Sequence, residues 1–271
     1  GCRDPLTVVN YDNPNRLRAL SRATDVEALL SSSFKVAFNS IWGTSTVSGT
    51  AYPDISPSAR AMSWENASNL ANWGMGPRSS LPRPGIDNGR GNPYANENSV
   101  GFRGLGRGAR AAADGINALT VGGLQLPTQY APSARQQARA LAFGWMSLGF
   151  ALGYSSLDYD SSTIVWPYDP IDSVLPLSSY TAVNVAALAA LDSAIKYATR
   201  EQTATGATGF PTPTGWIYNN AIDNTAGAST FIRLCNFFKA YFRANVARTP
   251  TERTAVNWTA VRDDAAAGLT A

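Results

Sequence analysis

The chain contains no histidine. That absence excludes Ser–His–Asp and Cys–His nucleophile systems, a histidine general base and imidazole-ligated metal sites. A mechanism built on carboxylates, a Ser–Lys pair or a carboxylate-held metal stays open. Only two cysteines are present, Cys2 and Cys235. Cys235 falls on the apolar face of a helical pattern with Phe231, Leu234 and Phe238, where a cysteine serves as a small buried hydrophobe. Nothing in the sequence supports its pairing with Cys2. Charge is also scarce: 15% of residues are charged, against about a quarter in an average domain. The net charge is +3 and no Lys/Arg run occurs. Arg78, Arg83, Arg90, Arg103, Arg107 and Arg110 are interrupted by Gly and Pro and read as scattered arginines on solvated loop, so nucleic acid is not an expected partner. No segment has the run of about 18 apolar residues that spans a bilayer. No signal-peptide pattern is present, which leaves a cytosolic chain or a processed one.

What is present is enough for a substantial core: 271 residues, 44% of them hydrophobic, in one large domain or two small ones. The richest segment is Ser133–Tyr154. Ala138, Leu141, Ala142, Trp145, Leu148, Gly149 and Leu152 recur three and four apart and share one helical face. Small residues there admit a second helix closely and large ones fill the gaps, as in stacked tetratricopeptide-type hairpins. Thr24 and Glu27 form a capping box before Val26, Leu29, Leu30, Phe34, Ala37, Phe38 and Ile41, which predict a helix ending near Trp42. A short helix is expected over Pro57–Asn72, started by Ser56 and Pro57. Another is expected over Asn98–Leu119, although its glycines each cost roughly 1 kcal/mol in a helix interior unless a close neighbour compensates. Gly122-Gly123 ends that unit. Ser179 caps Tyr180–Thr199, and Ser229 caps Thr230–Ala247. Thr249-Pro250-Thr251-Glu252 is a second capping box with Pro at the first helical position, leading through Trp258 toward Gly268. No strand pairs stand out. The expected class is all-α: tetratricopeptide-like helical hairpins with long irregular loops, an N-terminal arm over 1–23 and a single helical domain over 24–271.

Several segments together resemble the SusD/RagB-type outer-membrane nutrient-binding lipoproteins. They are Cys2 near the start, the arm NYDNPNR, the capped helix TDVEALLSSSF, and ARQQARALAFGWMSLGFALGYSSLDYD. They continue with YTAVNVAALAALDSAIKYA and FIRLCNFFKAYFRANVARTPTERTAVNWTAVRDDAAAGL. Order and spacing, more than any single motif, carry the resemblance, which is weakest over Ser45–Asn96. It implies a SusD-like α-α superhelix without catalysis or cofactor. It also implies a lipid anchor on Cys2 at the cell-surface side of a bacterial outer membrane, a TonB-dependent transporter barrel as partner, and a glycan or peptide as ligand. Family members usually carry a second, irregular half beyond the point matching Ala271, so a fragment or a shortened form is expected. Gly1-Cys2 resembles the end of a lipobox, and diacyl or triacyl attachment would supply the multiple chains that stable anchoring needs.

Among candidate site residues, Trp64, Trp73 and Tyr94 lie in the long loop region after the first helix, with Arg78 and Asn72 as hydroxyl partners. Aromatic faces stack on the C–H faces of sugars; the same rings could instead fold inward and pin the loop. Trp166 and Tyr168 read as packing residues. Asp158, Asp160, Asp169 and Asp172 form an acidic cluster without the calcium-loop spacing, read first as caps and turns. It is also the one place for a glycosidase-type carboxylate pair. Asn66 and Asn257 match the short glycosylation pattern, which is discounted. The function expected is nutrient binding; the rival readings are a shortened scaffold used as an assembly or surface-layer subunit, and a carboxylate hydrolase.

Overall fold

The computed structural model of the chain describes residues 19–42, 55–63, 75–81, 87, 89, 91–126, 133–170, 173–204, 216 and 228–268. Cys2, Trp64, Asn66, Trp73, Asp172 and most of the expected arm lie outside them. The described part is mostly helical. In chain order it contains α1 (Ala23–Trp42), α2 (Ile55–Ser63), α3 (Met75–Ser79), α4 (Ala95–Thr120), α5 (Ser133–Asp158), β1 (Ser161–Thr163), β2 (Leu177–Ser179), α6 (Tyr180–Ala204), α7 (Ser229–Asn245), α8 (Pro250–Ala255) and α9 (Trp258–Gly268). The long helices pack in series: α1 on α4, α4 on α5, α5 on α6, α6 on α7 and α7 on α9. In addition α1 touches α5, and α5 touches α7.

The core follows α5. Ala140, Ala142, Phe143, Met146, Leu148 and Ala151 are fully buried, with Leu30 of α1, Ile116 of α4, Leu191 of α6 and Phe242 of α7 around them. Gln137–Asp158 is long and apolar enough to cross a bilayer, contrary to the reading that no segment is, but 89% of its most apolar window is buried against the rest of the protein. It behaves as a core helix. The small residues of its sequence do admit close neighbours: a Cβ at Gly149 would come within 2.7 Å of Leu191, and one at Gly153 within 2.1 Å of the Phe242 ring.

The glycines of α4 have the compensation they need. A Cβ at Gly104 would sit 1.8 Å from Ser40 Oγ, and one at Gly108 would sit 2.9 Å from the Ser33 carbonyl oxygen. Two backbones therefore meet where side chains would otherwise hold them apart. Ser33 and Ser40 satisfy their hydroxyls on carbonyls of their own helix, Leu30 and Val36, so neither leaves an unpaired group in this dry interface. Beyond α4, Gly123 takes φ +65°, and Leu124 N–H donates back to the Ala118 carbonyl, a left-handed helix end.

Three expectations about helix ends are corrected. Thr24 is not the cap of α1, because Val26 N–H already donates to the Arg22 carbonyl. Glu27, which would complete the capping box, instead pairs with Arg139 of α5 at 2.5 Å. Ser229 is the first residue of α7, not its cap; Ala228 precedes it without a side-chain cap. The helix beginning at Pro250 does not run on to Gly268. Its capping box forms as expected, with Thr249 and Glu252 bonding reciprocally, but Val256 turns extended. Asn257 Oδ1 then accepts from Ala260 N–H at 3.0 Å and starts α9 afresh. The expectation of no strand pair is corrected as well: β1 and β2 are antiparallel, with Ser161 opposite Ser179 and Thr163 opposite Leu177. Three residues per strand are too few to show an alternating period.

Candidate functional site

The last turns of two long helices, a third helix and a short one enclose an open cavity of about 390 Å³. Ile41 and Trp42 come from α1, Ile55, Ala59, Arg60 and Ser63 from α2, Tyr154 and Asp158 from α5, and Tyr241 from α7. Its aromatic wall is continuous. Trp42 meets Tyr154 edge-on at 5.4 Å between centroids; Tyr154 lies 6.0 Å from Tyr241, and the two phenols share a hydrogen bond. The wall extends outward on both sides, with Phe38 stacked on Trp42 at 4.8 Å and Phe237 stacked on Tyr241 at 6.3 Å. Phe38, Trp42, Phe237 and Tyr241 are each more than a third exposed. They are the outward edge of the α1, α5 and α7 packing and form an accessible aromatic strip.

Asp158 is the acid of this cavity. Its side chain is exposed at the mouth of the cavity. Burial pushes its pKa up to about 7, against the lowering influence of the Arg248 guanidinium. Among the described residues, no hydrogen bond or ion pair holds its carboxylate, and none holds the Arg60 guanidinium. Burial also raises the pKa of Tyr154, with the Tyr241 and Asp158 charges adding to it, so its phenol stays neutral. Tyr241 is raised chiefly by burial as well.

The neighbouring acids are spent on architecture. Arg248 follows α7 and folds back over the end of α5. It donates to the carbonyls of Ser156 at 3.1 Å and Tyr159 at 2.8 Å, pairs with Asp160, and lies 4.1 Å from the Tyr180 ring centroid. The guanidinium thus closes the negative end of α5. The Tyr180 hydroxyl donates to Glu252, and that bond holds the Glu252 carboxyl below its usual range. Asp169 accepts from Trp166 N–H at 2.7 Å and shapes a turn. Of the four clustered aspartates, Asp158 alone lines the cavity, and Asp172 is outside the described residues. Among the described residues no group of three or more Asp, Glu, Cys or His is placed to hold a metal.

The residues expected to bind ligand lie elsewhere. Arg78 is buried on α3 rather than on solvated loop. Tyr94 is half-buried just before α4, where its backbone N–H donates to Asn92 Oδ1 at 3.0 Å. Neither lines the cavity, and Trp64, Trp73 and Cys2 are outside the described residues. Trp166 packs near Trp145 as expected, but Tyr168 is 68% exposed, stacked on the outer side of Trp166. Cys235 is buried with a free thiol, and burial pushes that thiol far above its ordinary pKa. Sequence reasoning missed Trp42, Tyr154 and Tyr241. The available signal was a pair of aromatic i,i+4 steps, Phe38–Trp42 and Phe237–Tyr241, each beside a helix's buried stripe rather than in it.

No protein-family model matches this chain, and neither the curated proteins nor the solved structures yield a match.

Proposed function

We propose that this chain is a ligand-capturing protein built on tetratricopeptide-like hairpins, of the kind the SusD/RagB resemblance implies. It binds a nutrient glycan or peptide in the cavity at Trp42, Tyr154, Asp158 and Tyr241. It performs no catalysis and needs no cofactor. Its lipid anchor is Cys2, on the outer face of a bacterial outer membrane, and its partner is a TonB-dependent barrel. The order of packing supports the hairpin reading. α1 with α4, α5 with α6 and α7 with α9 make three pairs, and α1, α5 and α7 touch in a row. In stacked hairpins the first helices line one face, which is where such arrays bind. The observation that carries the proposal is the aromatic wall on that row, opening onto one acid and one base. Planar rings offer faces to sugar C–H groups, and the charged side chains can bond hydroxyls.

The test is calorimetric titration of neutral and amino oligosaccharides and short peptides against wild type, Trp42→Ala and Tyr241→Ala. Binding weakened at least about tenfold in both variants, with the fold intact by circular dichroism, supports the site. Unchanged affinity refutes it. Stoichiometric recovery of a barrel from native membranes tests the transport role separately. The assembly-subunit reading draws on the same exposed strip of Phe38, Trp42, Phe237 and Tyr241, which copies of the chain could bury between them. Concentration-dependent association without any ligand binding would favour it.

A further inference from the structure

We infer that the cavity selects a ligand carrying a protonated amine, which docks on Asp158 against the faces of Trp42 and Tyr241. The inference rests on the cavity being the ligand site and adds the chemistry of what enters it. Asp158 is an exposed carboxylate that lines the cavity and has no hydrogen-bond or ion-pair partner among the described residues, so it is available to a ligand. It is the last residue of α5, and the Arg248 guanidinium that caps this helix end gives its hydrogen bonds to Asp160 and the nearby carbonyls, not to Asp158. A neutral sugar could be held by serines or amides alone and has no need of the charge. An ammonium group uses what is there: opposite charge on the carboxylate, and attraction to the negative faces of Trp and Tyr rings, which grows as water is excluded.

Arg60 lines the same cavity, and no ion pair joins it to Asp158. It lies on the exposed side of α2 and suits the hydroxyl or carboxylate oxygens at the ligand's other end. Two sources offer this chemistry, an amino sugar and the free amino terminus of a peptide.

The experiment is calorimetry at about pH 7, where the free amines still carry a proton, with four probes: a glucosamine trisaccharide, its fully N-acetylated counterpart, trialanine and N-acetyl-trialanine. Each is titrated into wild type and Asp158→Asn. Binding of a free-amine probe at least about tenfold tighter than its acetylated partner, lost in Asp158→Asn, is the expected result. The free-amine probe that binds identifies the source. Equal binding of free and acetylated probes, or an Asn variant that binds as wild type does, overturns the amine assignment and leaves the ligand site standing. Failure of all four probes, together with failure of neutral oligosaccharides, removes both. Melting curves of the variant separate a lost contact from a lost fold.

Discussion

Replacing Asp158 by Asn should make the protein more stable at pH 8, and the gain should shrink at pH 5. The carboxyl's pKa is raised from 3.8 to about 7 in the folded chain, chiefly by burial. Between roughly pH 4 and pH 7 the native state therefore holds a proton that the unfolded chain has released. Stability then falls as pH rises through that window and is lowest, for this group, once the folded carboxyl ionises. A shift of this size in a sealed site would correspond to about 4 kcal/mol. Asp158 reaches solvent, so screening reduces the expected effect to about 1–2 kcal/mol. For a domain of this size that is a rise in Tm of about 3–6 °C at pH 8, with a smaller difference at pH 5. Differential scanning calorimetry of wild type and variant at both pH values reads it directly, and the comparison cancels other titrating groups. A variant less stable than wild type at pH 8, or a gain identical at both pH values, would refute the reasoning. The first would mean the carboxylate has a stabilising partner, and the second that its charge is irrelevant.

Two further predictions concern packing. A Cβ at Gly106 meets nothing within 4 Å, whereas one at Gly153 meets the Phe242 ring at 2.1 Å. Gly106→Ala should therefore raise stability by about 0.5–1 kcal/mol through helix propensity, and Gly153→Ala should lower it by about 1–3 kcal/mol through overpacking; urea midpoints of the same sign for both would contradict this. Glu27→Ala should cost about 2–3 kcal/mol, because the Arg139 side chain is fully buried and Glu27 is its ion-pair partner. The double variant Glu27→Leu/Arg139→Met should recover most of that loss in chemical denaturation, and a double variant no better than the single would speak against a desolvation origin.

The helices were legible because their signals are local. The period of Ser133–Tyr154 and the Thr249–Glu252 box sit within a few turns of chain, and both appear where expected. Thr24 and Glu27 satisfied the same local rule, and tertiary structure overrode it: Arg139, 112 residues away, takes the carboxylate the cap would have used. The glycines of α4 could be read only as a cost until Ser40 and Ala37 were seen against them. The cavity was the least legible part. Trp42, Asp158 and Tyr241 come from three helices, and no spacing links them. Asp158 looked like one member of an acidic group whose other described members turn out to pair with Arg248 or shape a turn. The loop aromatics drew attention because they were irregular, while Trp42 and Tyr241 of the cavity wall stood near the ends of regular helices.

The grip of Arg248 has a consequence for how the molecule comes apart. A row of helical pairs held only by contacts between neighbours can unravel from either end, one pair at a time. In this protein a single guanidinium spans the junction of α5, α6 and the segment after α7. It engages the final carbonyls of α5, the acid beyond them and the Tyr180 ring that opens α6, from a position just past α7. Peeling the last pair away breaks all of these at once and leaves the end of α5 uncapped. The cost of the first step outward is thereby tied to the integrity of the middle, which favours one concerted transition over stepwise fraying.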